Sequence, residues 1–202
     1  MSSIHSNDPR AVRTRQGFQD AFFALLQEKP YSQITVTDVA NRAGFARHTF
    51  YNHYDALDDL LSNLIDSVME AFFTKLERWD FELNDKAAEL RMVAAFFQVW
   101  KDRPEVVQIL NKLDVDDLLI KRLNAYFTEF YYDQVTPKIP GASLTLAHYM
   151  ISFNAYTLLG ILKPWLQDEM QYPPEVMAKF LVQLTGSTQR RHAVEEFKRV
   201  IR

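Results

Sequence analysis

The sequence contains no cysteine, which excludes disulfide bonds, thiolate metal sites and cysteine nucleophiles. It also lacks an apolar run of the roughly 18 residues that a membrane-spanning helix needs. The first nine residues hold no apolar segment of the kind found in signal peptides. We therefore expect a soluble protein that acts in the cytoplasm and has no membrane partner.

Turn and strand signals are scarce. Five glycines and eight prolines occur in 202 residues, and the hairpin dipeptides Asn-Gly and Asp-Gly are absent. Apolar residues recur instead at steps of three and four, which is the period of an amphipathic helix. With 48% hydrophobic residues, the chain has enough apolar side chains for a core. The sequence predicts an all-α protein.

An excess of positive charge is missing as well, since the formal net charge is −3. Among residues 1–60, seven negative charges outnumber six positive ones, which belong to Arg10, Arg13, Arg15, Lys29, Arg42 and Arg47. Any binding to a nucleic acid must therefore depend on where the positive side chains lie, because their sum provides no attraction.

Helix boundaries follow from the periodicity and from the positions of proline and glycine. We predict helices over residues 8–29, 36–43, 47–54, 57–79, 85–102, 105–110, 114–132, 143–165 and 174–185, with a loop over 136–142. The long helix that starts at Leu57 carries an apolar stripe and is expected to bridge two cores. Residues 187–202 form either a last amphipathic helix or a frayed tail.

The pattern over residues 35–54 indicates a helix-turn-helix. Thr35 suits the start of the first short helix as its cap, with Asp38 in the first turn. Ala40 is small enough for a close helix crossing, and Gly44 can adopt the left-handed conformation that turns the chain. Phe50, ten residues after Ala40, supplies a buried anchor, and this spacing fits the motif.

The simpler alternative is a helical hairpin without function, because helix–Gly–helix turns are common. The polar face of the second short helix weighs against it, with Arg47, His48, Thr49, Tyr51, Asn52 and His53. A surface helix selected for stability alone would favour Glu, Lys and Ala. This set is instead rich in hydrogen-bond donors and has no acidic member, which suits the phosphates and base edges of DNA.

These residues resemble the signature of the TetR family of transcriptional regulators. The resemblance covers residues 34–61 through Ile34-Thr35-Val36, Asp38-Val39-Ala40, Ala43-Gly44, Arg47, Thr49-Phe50-Tyr51, His53-Tyr54 and Leu60-Leu61. A much weaker resemblance to one branch of the family lies in Gly160–Leu166 and Pro174–Met177. The family implies a three-helix DNA-binding domain, here residues 1–56, followed by a helical effector-binding and dimerisation domain, here residues 57–202.

The resemblance also implies a homodimer that places two recognition helices in successive major grooves of a palindromic operator. The DNA-binding residues that it implies are Thr37, Arg47, His48, Thr49, Tyr51, Asn52 and His53. Arg47, His48 and Thr49 would face bases, Tyr51 and His53 would bind phosphates, and Asn52 could reach either. Thr37 would lie near the backbone, and Arg10, Arg13 and Arg15 would lie beside flanking phosphates.

Two positions depart from the family pattern. Ala46 stands where a small polar cap usually precedes the recognition helix. Leu57, flanked by Asp55, Asp58 and Asp59, stands where a lysine usually contacts a phosphate. We predict weaker operator binding, with a salt slope reduced by roughly one ion per half-site.

Aromatic residues are dense beyond residue 72, which suits either a helical core or a small-molecule pocket. Because the family implies a pocket, we select as ligand-binding candidates Trp100, Phe127, Tyr131, Tyr149, Phe153, Asn154 and Tyr156. The effector itself is not readable from the sequence. The resemblance further implies a four-helix dimer interface, for which we select two stripes: Ala147, Ile151, Ala155, Leu158 and Leu162, and Met177, Phe180, Leu181 and Leu184. The alternative is packing within one chain.

The sequence therefore predicts a ligand-responsive DNA-binding repressor. The main alternative is a protein-interaction adaptor or coactivator that keeps the TetR fold without reading DNA; Ala46, Leu57 and the acidic residues around it motivate this alternative. An enzyme is not expected, because no nucleophile elbow, glycine-rich phosphate loop or catalytic carboxylate pair occurs. The five histidines have no metal-ligand spacing, so we expect neither a metal nor a cofactor.

Overall fold

The computed structural model describes residues 8–77, 85–113, 115–135 and 144–185. Within these ranges the chain is helical and contains no strand, which confirms the all-α prediction. The helices are α1 Pro9–Glu28, α2 Val36–Arg42, α3 Arg47–Tyr51, α4 Leu57–Glu77, α5 Lys86–Lys101, α6 Pro104–Lys112, α7 Asp116–Phe130, α8 Leu144–Gln167 and α9 Pro174–Thr185. The predicted loop over 136–142 and the segment 187–202 lie outside the described residues.

Three helices are longer than the sequence indicated. Helix α6 covers Pro104–Lys112, where the sequence predicted residues 105–110. A π-helical turn, Tyr131–Val135, continues α7. Helix α8 extends to Gln167 and contains Pro164, although proline has no N–H to donate to the helix. No helix in the described part of the chain is both long and apolar enough to cross a membrane.

The described residues divide into two compact units. The first comprises the described residues within Met1–Ser67 and Glu105–Leu118, and the second comprises those within Val68–Pro104 and Leu119–Arg202. The division therefore falls inside α4, and α6 groups with the first unit. The domain boundary at residue 56 stays a prediction.

The first unit is built on α1. The side chain of Asp8 accepts a hydrogen bond from the backbone N–H of Arg10 at 2.9 Å and caps the helix. The helix ends before Pro30, where Lys29 is extended, as proline requires of the residue before it. Between these ends, Phe18 and Phe22 are fully buried and form the centre on which the next helices pack.

The second unit contains a chain of aromatic contacts. Phe73 stacks on Tyr126 with ring centroids 5.4 Å apart, and it also contacts Phe127 at 6.2 Å. Phe96 lies 5.5 Å from Phe72 and 6.4 Å from Trp100, both with rings nearly perpendicular. Such edge-to-face pairs stabilise a core beyond the area that they bury.

Most residues of the two stripes selected for the dimer interface are buried within their own chain. Ala147, Ile151, Ala155 and Leu162 are at most 5% exposed, so they pack within their own chain. Met177 and Leu181 of α9 are likewise buried, whereas Phe180 and Leu184 are 49% and 59% exposed. Periodicity identified apolar residues correctly, but it does not reveal which of two apolar faces the chain itself covers.

Both helices carry a second apolar row that the chain leaves exposed. On α8 it consists of Tyr149, Phe153 and Tyr156, which are 63%, 50% and 62% exposed. On α9 it consists of Val176, Phe180 and Leu184 at successive four-residue steps. We call these six residues the exposed apolar rows.

Candidate nucleic-acid interface

Helix α2 begins at a reciprocal cap. The Thr35 hydroxyl accepts from the backbone N–H of Asp38 at 3.2 Å, while the backbone N–H of Thr35 donates to the Asp38 carboxylate at 2.8 Å. Lys29 also donates to this carboxylate at 2.8 Å. The bond from Lys29, followed by those from Thr35, lowers the pKa of Asp38 to about 2. The predicted cap is therefore present, and it is tied to the end of α1.

The turn between α2 and α3 depends on glycine. Gly44 has φ of +74°, a conformation that side chains with a Cβ rarely adopt. The backbone N–H of Phe45 donates to Ala40 at 2.9 Å, and that of Gly44 donates to Asn41 at 3.1 Å. This pair of bonds is a Schellman motif, which satisfies the last carbonyls of α2 and redirects the chain into α3.

The inner side of α3 is anchored in an aromatic core. Phe50 is fully buried, and its ring lies 5.3 Å from Phe18 and 5.3 Å from Tyr54. Phe45 packs on Phe18 at 5.2 Å, and a Cβ at Gly17 would approach the Phe45 ring to 3.0 Å. A helix of five residues is not stable alone, so these contacts determine where α3 lies.

The opposite side of α3 is accessible. Arg47, His48 and Asn52 are exposed, Tyr51 is 44% exposed, and Thr49 and His53 are half-buried at the edges. Thr37, in the first turn of α2, is exposed as well. The structure thus brings the predicted residues of α3 together on one surface, away from Phe50 and Tyr54.

Two of these residues are paired. Arg47 Nη2 donates to the hydroxyl oxygen of Tyr51 at 3.0 Å, and the Arg47 guanidinium lies 5.4 Å from the centroid of the Tyr51 ring. The spacing of four residues places them one above the other on the helix. The sequence analysis did not use this spacing, although it would have indicated the contact.

His53 is held between the surface and the core. Its ring contacts Phe18 at 6.2 Å, and its Nδ1 atom is buried without a hydrogen-bond partner in the described chain. Burial, and then the nearby charge of Arg15, lowers the pKa of His53. The neutral ring is therefore favoured. Its proton belongs on Nε2, because a buried Nδ1–H without an acceptor would cost more than a buried lone pair.

Most cations near α2 are already neutralised. Arg42 forms a fork with Glu28, with a shortest distance of 2.5 Å, and Lys29 is bound to Asp38. Arg10 and Arg13, by contrast, are exposed and form no ion pair within the described residues. Positive charge is therefore available at α3 and at the start of α1, despite the acidic total.

The two departures from the family pattern have visible structural consequences. Ala46 has extended backbone angles suited to a cap, but no side chain caps α3. At α4, the Asp59 carboxylate accepts from the backbone N–H groups of Asp55 and Ala56 at 3.0 and 2.9 Å. The Asp58 carboxylate accepts from the hydroxyl of Tyr31. Asp59 thus holds the two residues before α4, and Asp58 binds the segment that follows α1, so both carboxylates have structural partners.

The candidate ligand residues do not form one group. Trp100 and Phe127 belong to the aromatic chain of the second unit, which also contains Phe73, a residue that the sequence analysis missed because it lies off the stripe of α4. Tyr131 and Asn154 are half-buried. Tyr149, Phe153 and Tyr156 lie instead in the exposed apolar rows. The selected residues are thus divided between the core and the surface.

Comparison with known proteins agrees with this architecture. Residues 20–64 match the family described as "Bacterial regulatory proteins, tetR family", and residues 89–187 match the "Transcriptional regulator C-terminal region". The HTH-type transcriptional regulator YxbF of Bacillus subtilis is 30% identical over 179 residues, which are 87% of this chain and 45% of YxbF.

A second relative and a solved structure extend the comparison. DhaS of Lactococcus lactis, the HTH-type transcriptional activator of the dhaKLM operon, is 28% identical over 123 residues, which cover 61% of this chain and 55% of DhaS. The chain thus spans about half the length of both relatives. The crystal structure of Lin0861 from Listeria innocua superposes with a TM-score of 0.71 at 14% identity, covering 89% of this chain and 93% of Lin0861. Matches to both the N-terminal and the C-terminal regions of one family, on a shared fold, show that the chain belongs to the TetR family of transcriptional regulators.

Proposed function

We propose that this regulator binds a palindromic DNA operator as a homodimer in the cytoplasm and responds to a small-molecule effector. The observation that carries the proposal is the accessible face of α3. Arg47, His48, Tyr51 and Asn52 point away from a helix that Phe50 anchors in the core. A short helix on a rigid base, with donors outward and no carboxylate among them, suits entry into a major groove.

The exposed apolar rows support dimerisation. Each lies on a helix long enough for several turns, and together they contribute three aromatic residues from α8 and one from α9. Groups of large apolar side chains on a surface commonly mark contacts with another protein. We assign these rows, rather than the buried stripes, to a two-fold interface in which the same surface of each protomer takes part.

The interior of the second unit supports effector binding. Trp100 is fully buried, yet its Nε1–H has no acceptor within the described part of the chain. Buried donors nearly always have a partner, so such a group needs an explanation. An effector with a hydrogen-bond acceptor would satisfy it, and Phe127 on the same aromatic chain would supply an apolar contact. Ligand binding would then shift the population of the protein away from the state that fits the operator.

Repression is the direction that we propose, because a dimer seated on an operator blocks access to it. A specific observation favours activation as the second candidate, since DhaS is named as an activator of its operon. A reporter placed under the selected operator distinguishes the two: repression predicts higher expression when the regulator is deleted, and activation predicts lower expression.

Selection of bound duplexes from a random library tests whether the protein binds a specific DNA sequence. The intact protein should enrich a palindrome, and Tyr51→Ala should lose it. Tyr172→Ala, which changes another exposed tyrosine, in the second unit, serves as the matched control and should keep the palindrome. If the intact protein enriches no sequence at moderate salt, the adaptor hypothesis would replace this proposal, and the next experiment would be a search for a protein partner.

A further inference from the structure

The outer face of α3 carries an arginine whose charge remains available. Arg42 and Lys29 are neutralised by Glu28 and Asp38, but Arg47 has no carboxylate partner among the residues that the structure describes. Its hydrogen-bond partner is the hydroxyl oxygen of Tyr51, at 3.0 Å from Nη2. The guanidinium therefore keeps its full charge while one of its donors is engaged.

Helix stability does not account for Arg47. It is the first residue of α3, at the end where free backbone N–H groups create positive potential. A cation at this end is unfavourable, and an acidic residue would stabilise the helix instead. Ala46 before it adds no side-chain cap that would offset the cost. An arginine at this position is thus better explained by binding to a partner outside the chain.

The Tyr51 contacts restrict the guanidinium to one side of the helix. The hydrogen bond fixes one edge, and the ring lies 5.4 Å from the guanidinium carbon, within the range of a cation–π contact. Arginine carries five N–H donors, and Tyr51 engages one of them. The donors that remain form a planar fork, whose geometry matches the O6 and N7 acceptors of guanine in the major groove.

We propose that Tyr51 is a positioning residue that presents the Arg47 guanidinium to a guanine, so that the pair determines the preference for a G·C base pair at one position of each operator half-site. This inference rests on the DNA binding proposed above. It adds the identity of the base that Arg47 contacts and the residue that orients Arg47. Lysine would not serve in place of Arg47, because it offers a point charge and no planar fork.

The direction of the hydrogen bond adds a second connection. Because the Tyr51 oxygen accepts from Arg47, the Tyr51 hydroxyl proton is left to donate. A phosphate beside the groove is the matching acceptor. Phosphate, tyrosine, arginine and guanine would then form one line of hydrogen bonds, in which Tyr51 donates to the phosphate and Arg47 donates to both Tyr51 and the guanine. Correct seating on the backbone would thereby orient the base-reading group.

The test measures base preference position by position, with duplexes derived from the palindrome that the intact protein selects. Tyr51→Phe keeps the ring and removes the hydroxyl, so the preference for G at one position per half-site should fall about tenfold. Arg47→Lys should abolish that preference while the salt dependence of binding to an unrelated duplex is unchanged. Tyr172→Phe, remote from α3 in sequence, is the matched control, and circular dichroism verifies folding of every variant.

A double variant separates positioning from a simple phosphate contact. If Tyr51 acts through Arg47, then Tyr51→Phe should not change the preference at that position further once Arg47→Ala is present. Uniform weakening by Tyr51→Phe on all duplexes, with every preference intact, would overturn the inference and leave Tyr51 as a phosphate contact. So would an Arg47→Ala protein that keeps all its preferences. Failure of the intact protein to select any palindrome would instead remove the proposed function and this inference together.

Discussion

Removal of the Phe180 ring tests whether the exposed apolar rows are the dimer interface. Phe180 is 49% exposed in the single chain. A phenylalanine buries roughly 200 Å² when covered, so about 100 Å² would be covered by a partner. At about 25 cal/mol per Å², and allowing for the area that alanine retains, Phe180→Ala should remove about 2 kcal/mol per protomer. The neighbouring Leu181 is buried and is not changed.

Two-fold symmetry doubles this loss. Both protomers lose the same ring, so the free energy of association should fall by about 4 kcal/mol, which corresponds to about a thousandfold increase in the dimer Kd. Sedimentation velocity over a concentration series measures this constant. Gln183→Ala, an exposed polar position on the same helix, should leave it unchanged.

The outcome that refutes the reasoning is specific. A folded Phe180→Ala protein with the dimer Kd of the intact chain would show that α9 does not supply the interface through this row. Equal weakening by Gln183→Ala would show that the effect is not due to apolar burial. In the first case the exposed rows would need another occupant.

Three further predictions concern salt, pH and the buried indole. Leu57→Lys should steepen the salt dependence of operator binding by roughly one ion per half-site, as measured by titration at several salt concentrations, and an unchanged slope would show that this position does not approach a phosphate. Burial and Arg15 lower the folded-state pKa of His53, so the free energy of unfolding should be highest above about pH 6.5 and fall as the pH drops below it. Denaturant titrations of His53→Gln should show a flatter profile in this pH range. A profile identical to that of the intact protein would contradict the lowered pKa of His53. Trp100→Phe removes an unpaired donor and should change the free energy of unfolding by less than about 1.5 kcal/mol, whereas Trp100→Ala should cost about 3–5 kcal/mol; comparable losses from both would mean that Nε1 has a partner.

The adaptor alternative depended on residues whose roles the structure clarifies. Asp58 and Asp59 motivated that alternative, but Asp58 binds the hydroxyl of Tyr31, and Asp59 binds the backbone N–H groups of the two residues before α4. Their presence is therefore explained without loss of DNA binding. Ala46 remains a true departure, since α3 has no side-chain cap.

The local features were readable from the sequence because each depends on residues close in the chain. Thr35 and Asp38 form the cap that their spacing predicted, and Gly44 adopts the left-handed turn that only glycine accepts readily. The helix starts at Asp8 and Asp85 were predictable for the same reason, because each cap bonds only to a backbone N–H in the first turn of its own helix. The all-α class follows from periodicity in the same way.

Only the tertiary structure decided which apolar faces the chain covers and which polar atoms it buries. Ala147 and Tyr149 lie two residues apart on α8, yet one is buried and the other is 63% exposed. Both are apolar enough for either side, so packing against helices far away in sequence determines which of them is buried. The orphaned Nε1 of Trp100 and the lowered pKa of His53 arise in the same way, because each depends on the neighbours that packing selects.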